Sequence, residues 1–159
     1  MANTLLPPGE EETMPTLRHG IIIARLTTLL SEFVAPRRLG IVCAPQTTFA
    51  MRGDPATREP DLAFVAREHV PADLDADATF APDLAVEVVS RTDTYDAVAT
   101  KVGQYLDSGT QLVWVVRPKD RTVEAHRRGM IPTLLGAGLL SGDPVLPGLD
   151  IDIDGIFTV

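Results

Sequence analysis

Apolar residues recur at helical spacing in the first third of the chain. Between Leu17 and Val34 they stand three or four residues apart, at Ile22, Ile23, Leu26, Leu29, Leu30 and Phe33. This spacing predicts an amphipathic helix that ends at Pro36. Two short apolar stretches follow, residues 40–44 and 47–51, and we interpret them as a hairpin interrupted by Pro45.

The middle of the chain carries two apolar runs of strand length divided by a helical pattern. Residues 84–89 and 112–116 are nearly continuous apolar runs, which are typical of central strands covered on both faces. A helical stripe from Val98 to Leu106 separates them, with Asp93 as its expected cap. A strand, a helix and a second strand predict a parallel crossover unit.

The remaining segments complete an α/β pattern. Residues 61–66 and 122–126 have the composition of strands, an acidic loop occupies residues 68–82, and a Gly-rich tail begins at residue 136. We expect one domain over residues 1–159, with residues 1–15 as a loose entry segment.

Composition and charge narrow the function classes. No apolar run approaches the length of a membrane span, and the N-terminus lacks the basic start and apolar stretch of a secretory signal, so we expect a cytoplasmic protein.

The lone cysteine, Cys43, cannot form an intramolecular disulfide and is interpreted as a small core residue. With 14 Lys+Arg against 22 Asp+Glu, the net charge of -8 opposes nonspecific attraction to phosphate backbones. A nucleic-acid role therefore needs a local basic surface or metal ions.

Glu87 is the most informative residue, because it interrupts an otherwise apolar strand. Burying a carboxylate is costly unless it is paired, protonated or bound to a cation. A site role explains it; the alternative is a strand-end glutamate that reaches solvent or an arginine. Asp83 lies too far along the same strand, roughly 13 Å away, to share an ion. Asp61, at the start of a neighbouring strand, is the better second ligand, unless it is only a turn residue.

Lys101 lies between Val98 and Tyr105 on the edge of the helical stripe that should face the sheet. Its ammonium group either reaches solvent while the stem packs, or points at the acidic site and stabilises charge on a phosphate.

Together these residues resemble the bacterial Uma family of restriction-endonuclease-like proteins. The resemblance is carried by Pro60-Asp61, residues 83–90 (Asp-Leu-Ala-Val-Glu-Val-Val-Ser), Asp93, Lys101 with Tyr105, Gly109, and residues 112–118 (Leu-Val-Trp-Val-Val-Arg-Pro). It implies a restriction-endonuclease-like core, a mixed central sheet flanked by helices, and the nuclease motif PD-(D/E)xK with Asp61 and Glu87 as its acids. Val89 stands where that motif has its lysine, and the resemblance implies that Lys101 replaces it from the following helix. It also matches His19 to a site histidine and Glu10 to an acidic position.

Two functions follow as expectations. The first is a nuclease in which Asp61 and Glu87 hold Mg²⁺ or Mn²⁺ and Lys101 and His19 assist, acting on nucleic acid, with DNA favoured over RNA. The second is a non-catalytic binding or regulatory module that keeps the fold.

The late hairpin carries a cluster of basic residues, which either contact phosphate or form a solvated face: Arg117, Lys119, Arg121, Arg127 and Arg128. The apolar surface of the first helix and of the Leu-rich tail predicts a homodimer.

Overall fold

The computed structural model describes residues 14–159. The helices within this range are α1 (Leu17–Arg37), α2 (Tyr95–Asp107) and α3 (Ile153–Phe157). The strands are β1 (Gly40–Cys43), β2 (Phe49–Ala50), β3 (Thr57–Arg58), β4 (Leu62–Ala66), β5 (Leu84–Val88), β6 (Leu112–Arg117), β7 (Thr122–Arg127), β8 (Thr133–Leu135), β9 (Leu139–Ser141) and β10 (Asp150–Asp152). No helix in this range is both long enough and apolar enough to cross a bilayer.

The central sheet is mixed. Its strand order is β1-β4-β5-β6-β7-β8, with β5 and β6 parallel and every other neighbouring pair antiparallel. The parallel pair is joined through α2, so the predicted crossover unit is confirmed. All residues of β5 are buried, as its continuous apolar run indicated.

The two faces of the sheet are covered by different helices. On one face α1 and α3 pack on the alternate β5 residues Leu84, Val86 and Val88. On the other face α2 packs on Ala85 and on the odd-numbered residues of β6. Because side chains alternate along a strand, Glu87 lies on the α2 face together with Ala85.

Helix α1 runs three residues beyond Val34 and includes Pro36. Thr16 caps it by accepting the N–H of His19, and Arg38 ends it in the left-handed conformation, with φ 53°. A proline in the last turn removes only one helical hydrogen bond, so the chain tolerates it there.

The predicted hairpin of residues 40–44 and 47–51 is wrong. Strand β1 pairs instead with β4, residues 40–43 against residues 63–66, and β2 pairs with β3. Each apolar stretch has strand character, but pairing β1 with the buried strand β4 covers more apolar surface than a local hairpin would. Residues 52–55 lie in the bend that joins β2 to β3.

Candidate active site

The antiparallel register of β4 and β5 brings the two predicted acids together. Leu62 pairs with Val86, so one further step of the register places Asp61 opposite Glu87. Residues opposite each other in an antiparallel pair project from the same face. Asp61 also accepts the backbone N–H of Val88 through Oδ2, at 2.8 Å. The second acid therefore comes from the neighbouring strand.

Glu87 is buried and has unequal partners on its two oxygens. The hydroxyl of Tyr105 donates to Oε1 at 2.7 Å, whereas Lys101 Nζ lies 3.6 Å from Oε2. Burial raises the pKa of Glu87, and Lys101 and Tyr105 oppose this rise. Oε2 thus faces a cation without a close hydrogen bond, which leaves it free to bind a ligand.

His19 approaches the same site from the first turn of α1. Its Nε2 lies 3.1 Å from the carbonyl oxygen of Val88 and 3.6 Å from Oδ2 of Asp61. A carbonyl oxygen only accepts, so Nε2 carries the proton in this hydrogen bond. His19 is therefore arranged as a donor to the Asp61 side of the site and not as a metal ligand through Nε2.

The site carries more negative than positive charge. Burial raises the pKa of Asp61 most, while the Val88 N–H, His19 and Lys101 act in the opposite direction. Charge repulsion from Asp93 makes a smaller contribution that also raises the pKa of both Asp61 and Glu87. The site combines three carboxylates with one lysine, and desolvation makes it a place where a bound cation would be stabilised.

Asp93 has a different local role from the one predicted. Thr94 caps α2 by accepting the N–H of Ala97, and Asp93 instead accepts the N–H and hydroxyl of Ser90. The expectation that Asp93 caps the helix is therefore wrong by one residue. Its carboxylate holds the loop that follows Glu87 in place.

The acid pair fits a hard divalent ion. Asp61 Oδ1 has no hydrogen-bond partner among residues 14–159, and Glu87 Oε2 has only the distant lysine. No group of three or more His, Cys, Asp or Glu in this part of the chain is arranged to hold a metal. Two carboxylates are nevertheless a usual protein share of a Mg²⁺ site, which keeps waters and takes substrate phosphate oxygens.

Asp83, which the sequence argued against as a partner of Glu87, lies apart from this site. Asp83 is buried at the opposite end of β5, where it accepts the Ala66 N–H at 2.7 Å and bonds His69 Nδ1 at 2.9 Å. Glu10 lies outside the described residues. Tyr105 was expected in the apolar stripe of α2 and as part of the family resemblance, and its hydrogen bond to Glu87 was not predicted.

Comparisons with known proteins agree with this architecture. A family model described as "Uma2: Putative restriction endonuclease" matches residues 6–154. A crystal structure described as a "putative nuclease belonging to DUF820", from Anabaena variabilis ATCC 29413, superposes with a TM-score of 0.81. It is 19% identical, and the alignment covers 91% of this chain and 83% of that chain. No curated protein matches this chain.

Proposed function

Because the chain belongs to the Uma2 restriction-endonuclease family and shares the fold of a nuclease-like structure, we propose that it is a divalent-metal-dependent nuclease that hydrolyses phosphodiester bonds. The observation that carries the proposal is the pairing of Asp61 with Glu87 across β4 and β5, with Lys101 3.6 Å from Oε2 of Glu87. Acids and a cation at one buried point are the groups that phosphoryl chemistry needs.

Asp61 and Glu87 would hold the ion, and Mg²⁺ or Mn²⁺ is favoured because both ligands are hard oxygens. The bound ion would supply a water of lowered pKa and charge stabilisation on the phosphate. The Val88 N–H orients Asp61 through Oδ2, and the Tyr105 hydroxyl orients Glu87 through Oε1. Each carboxylate is thereby held with its second oxygen available.

Lys101 would act on the phosphate or the water, and His19 would position the acid. Lys101 Nζ is placed to stabilise negative charge that develops on a phosphate oxygen, or to orient the attacking water. His19, through its Nε2 proton, would keep the Val88 carbonyl and Asp61 in position. The nucleic acid we favour is DNA rather than RNA, and the location we favour is the cytoplasm.

The proposal also includes a homodimer. The surface that supports it is not the apolar face of α1, because that face is covered by the sheet. Helix α1 buries Ile22, Leu26, Leu30 and Val34 against the sheet. Four of the ten large apolar residues that are exposed within residues 14–159 lie around β8 and β9: Met130 at 64%, Ile131 at 91%, Leu134 at 65% and Leu139 at 60%. Light scattering at micromolar concentration measures the mass directly.

Substitution of either acid tests the proposal. Asp61→Asn and Glu87→Gln keep hydrogen-bond acceptors for Val88 and Tyr105 but remove the charge that holds the ion. We expect loss of Mn²⁺ affinity in calorimetric titration and loss of metal-dependent cleavage across a set of DNA and RNA substrates. The melting temperature should be unchanged or raised, because the charged acids are unfavourably buried. Arg128→Gln, on the distant hairpin, is the control.

The opposite result would favour the second function. If either variant binds Mn²⁺ as the parent does, or unfolds much more easily, the acids are structural and the chain is a non-catalytic module with a nuclease fold.

A further inference from the structure

A cleft of about 810 Å³ adjoins the acid pair through His19. It lies between the N-terminal end of α1, the loop that follows β5, and the turn between β6 and β7. It shares His19 with the site, and also Asp93, whose charge acts on both acids. A ligand in the cleft is therefore within reach of His19, whose Nε2 lies 3.6 Å from Oδ2 of Asp61.

The cleft concentrates positive charge on an acidic protein. Its cationic lining residues are Arg18, Arg91, Arg117 and Lys119, against the two carboxylates of Asp93 and Asp120. The whole chain has a net charge of -8. The cleft is thus basic where the protein as a whole is acidic, which is the local offset that phosphate binding requires.

Three of these four cations are available to a ligand. Arg117 is already paired within the protein, since its Nε donates to Glu124 Oε1 at 2.7 Å. Arg18, Arg91 and Lys119 are exposed, and none of them forms an ion pair within residues 14–159. The other basic residues of the hairpin point elsewhere. Arg121 lies near Asp154 and Phe157, and Arg127 donates to the carbonyl of Asp143.

An exposed aromatic ring adjoins the same cleft. Tyr95 opens α2, two residues after Asp93, and 69% of it is exposed. The Arg117 guanidinium lies over its ring, 5.0 Å from the centroid. A ring held in place but left largely exposed can stack on an unpaired base, whereas the stacked bases of a duplex do not offer their faces.

We propose that this cleft binds the phosphodiester backbone of a single-stranded or locally unpaired nucleic acid, with Arg18, Arg91 and Lys119 on the phosphates and Tyr95 stacked on a base. The assignment rests on the proposed nuclease function only for the fate of the strand, since backbone binding itself needs no metal. The cleft would lead the strand to Asp61 and Glu87 from the side of His19.

Binding can be measured without cleavage. Fluorescence anisotropy of a labelled single-stranded DNA, titrated with the Glu87→Gln protein in EDTA at several salt concentrations, reports affinity and its salt dependence. The test variant adds Arg91→Gln and Lys119→Gln. The matched control adds Arg67→Gln and Arg128→Gln, two arginines outside the cleft, so that both proteins lose the same charge.

We expect the cleft variant to bind about tenfold more weakly or worse, and its salt slope to fall by about 1.4, since each single-strand phosphate contact contributes about 0.7. The control should bind within about twofold of the parent. Equal losses in the two variants would show that only net charge matters and would overturn the cleft. Absence of salt-dependent binding by the parent would also overturn it.

Tyr95 gives an independent readout. Tyr95→Ala should weaken single-strand binding by about fivefold or more without changing the salt slope, and Tyr95→Phe should restore it because stacking needs only the ring. Tighter binding of duplex than of single strand, or equal binding by the Ala and Phe variants, would overturn the single-strand assignment. If the parent protein binds the single strand in the cleft but does not bind Mn²⁺, the nuclease proposal fails while this proposal stands.

Discussion

Strand β5 carries a buried carboxylate at each end, and the two are treated differently by the fold. Asp83 precedes the strand and is saturated with donors: the Ala66 N–H, the His69 ring and, at 3.5 Å, the Gln111 amide. Glu87, near the other end, has one close donor, Tyr105, and a lysine at 3.6 Å. The same chemical group is fully satisfied in one place and left partly open in the other.

The difference separates structure from function. A saturated buried carboxylate stabilises the chain around it, because each donor satisfies a lone pair that burial has removed from water. A partly satisfied one is costly, and burial accordingly raises the pKa of Glu87. The proposed function explains why such a group stands opposite a second acid, since a bound cation would offset its burial.

Removing Lys101 should have the largest effect on the site around Glu87, the partly satisfied carboxylate of β5. Lys101→Met keeps the packed stem and deletes the charge. We expect nuclease activity to be abolished and the melting temperature to stay nearly constant, measured by the same cleavage assay and by thermal melting. Arg128→Met, on the turn between β7 and β8 and outside the cleft, is the control for a lost surface charge. Parental activity in Lys101→Met would show that Lys101 is only a surface lysine with a packed stem.

Removing the charge of Asp83, the fully hydrogen-bonded carboxylate, should lower the stability of the fold instead. Asp83→Asn keeps the shape but loses the charge-assisted bonds to Ala66 and His69, so we expect a loss of about 2 kcal/mol in the free energy of unfolding. For a chain of this size, that corresponds to a melting temperature lower by about 4 to 8 °C. Glu87→Gln is the matched control at the other end of the strand and should show no loss. Equal stability of the two variants would remove the distinction between the two ends.

The extent to which the sequence predicts these regions depends on how local the signal is. The continuous apolar runs of β5 and β6 and the stripe of α2 carry their structure within a few residues, so the strands, helix and parallel crossover were predicted. Glu87 was conspicuous for the same reason, as one charge in an apolar run. Strand β1 was recognised but given the wrong partner, because pairing with β4 depends on residues more than twenty positions away.

Side-chain partnerships across elements carried no local signal. Tyr105 fits the apolar stripe of α2, so packing alone accounted for it and its hydrogen bond to Glu87 was not foreseen. The pairing of Asp83 with His69, fourteen residues apart, follows only from the path of the chain after β4. The hairpin cations were predicted as one cluster, yet the fold divides them between the cleft and other surfaces.

The smallest effect belongs to His69, the half-exposed partner of Asp83. Its hydrogen bond and charge interaction with Asp83 raise the pKa of His69 above its ordinary value. A raised pKa means that the protonated ring stabilises the folded state below about pH 6.5, and that this contribution is lost as the pH rises through the folded-state pKa. Because 51% of the side chain is exposed, solvent screening limits the contribution to about 0.5 kcal/mol.

His69→Gln keeps a donor for Asp83 but does not titrate, so it isolates this contribution. Urea unfolding of parent and variant at about pH 6 and about pH 8 gives four free energies of unfolding, and the difference between the two pH responses cancels the contributions of all groups that the two proteins share. We expect the parent to lose about 0.5 kcal/mol more than the variant on going to the higher pH. An equal response of the two proteins would mean that the stability of the region around Asp83 does not depend on the charge of His69.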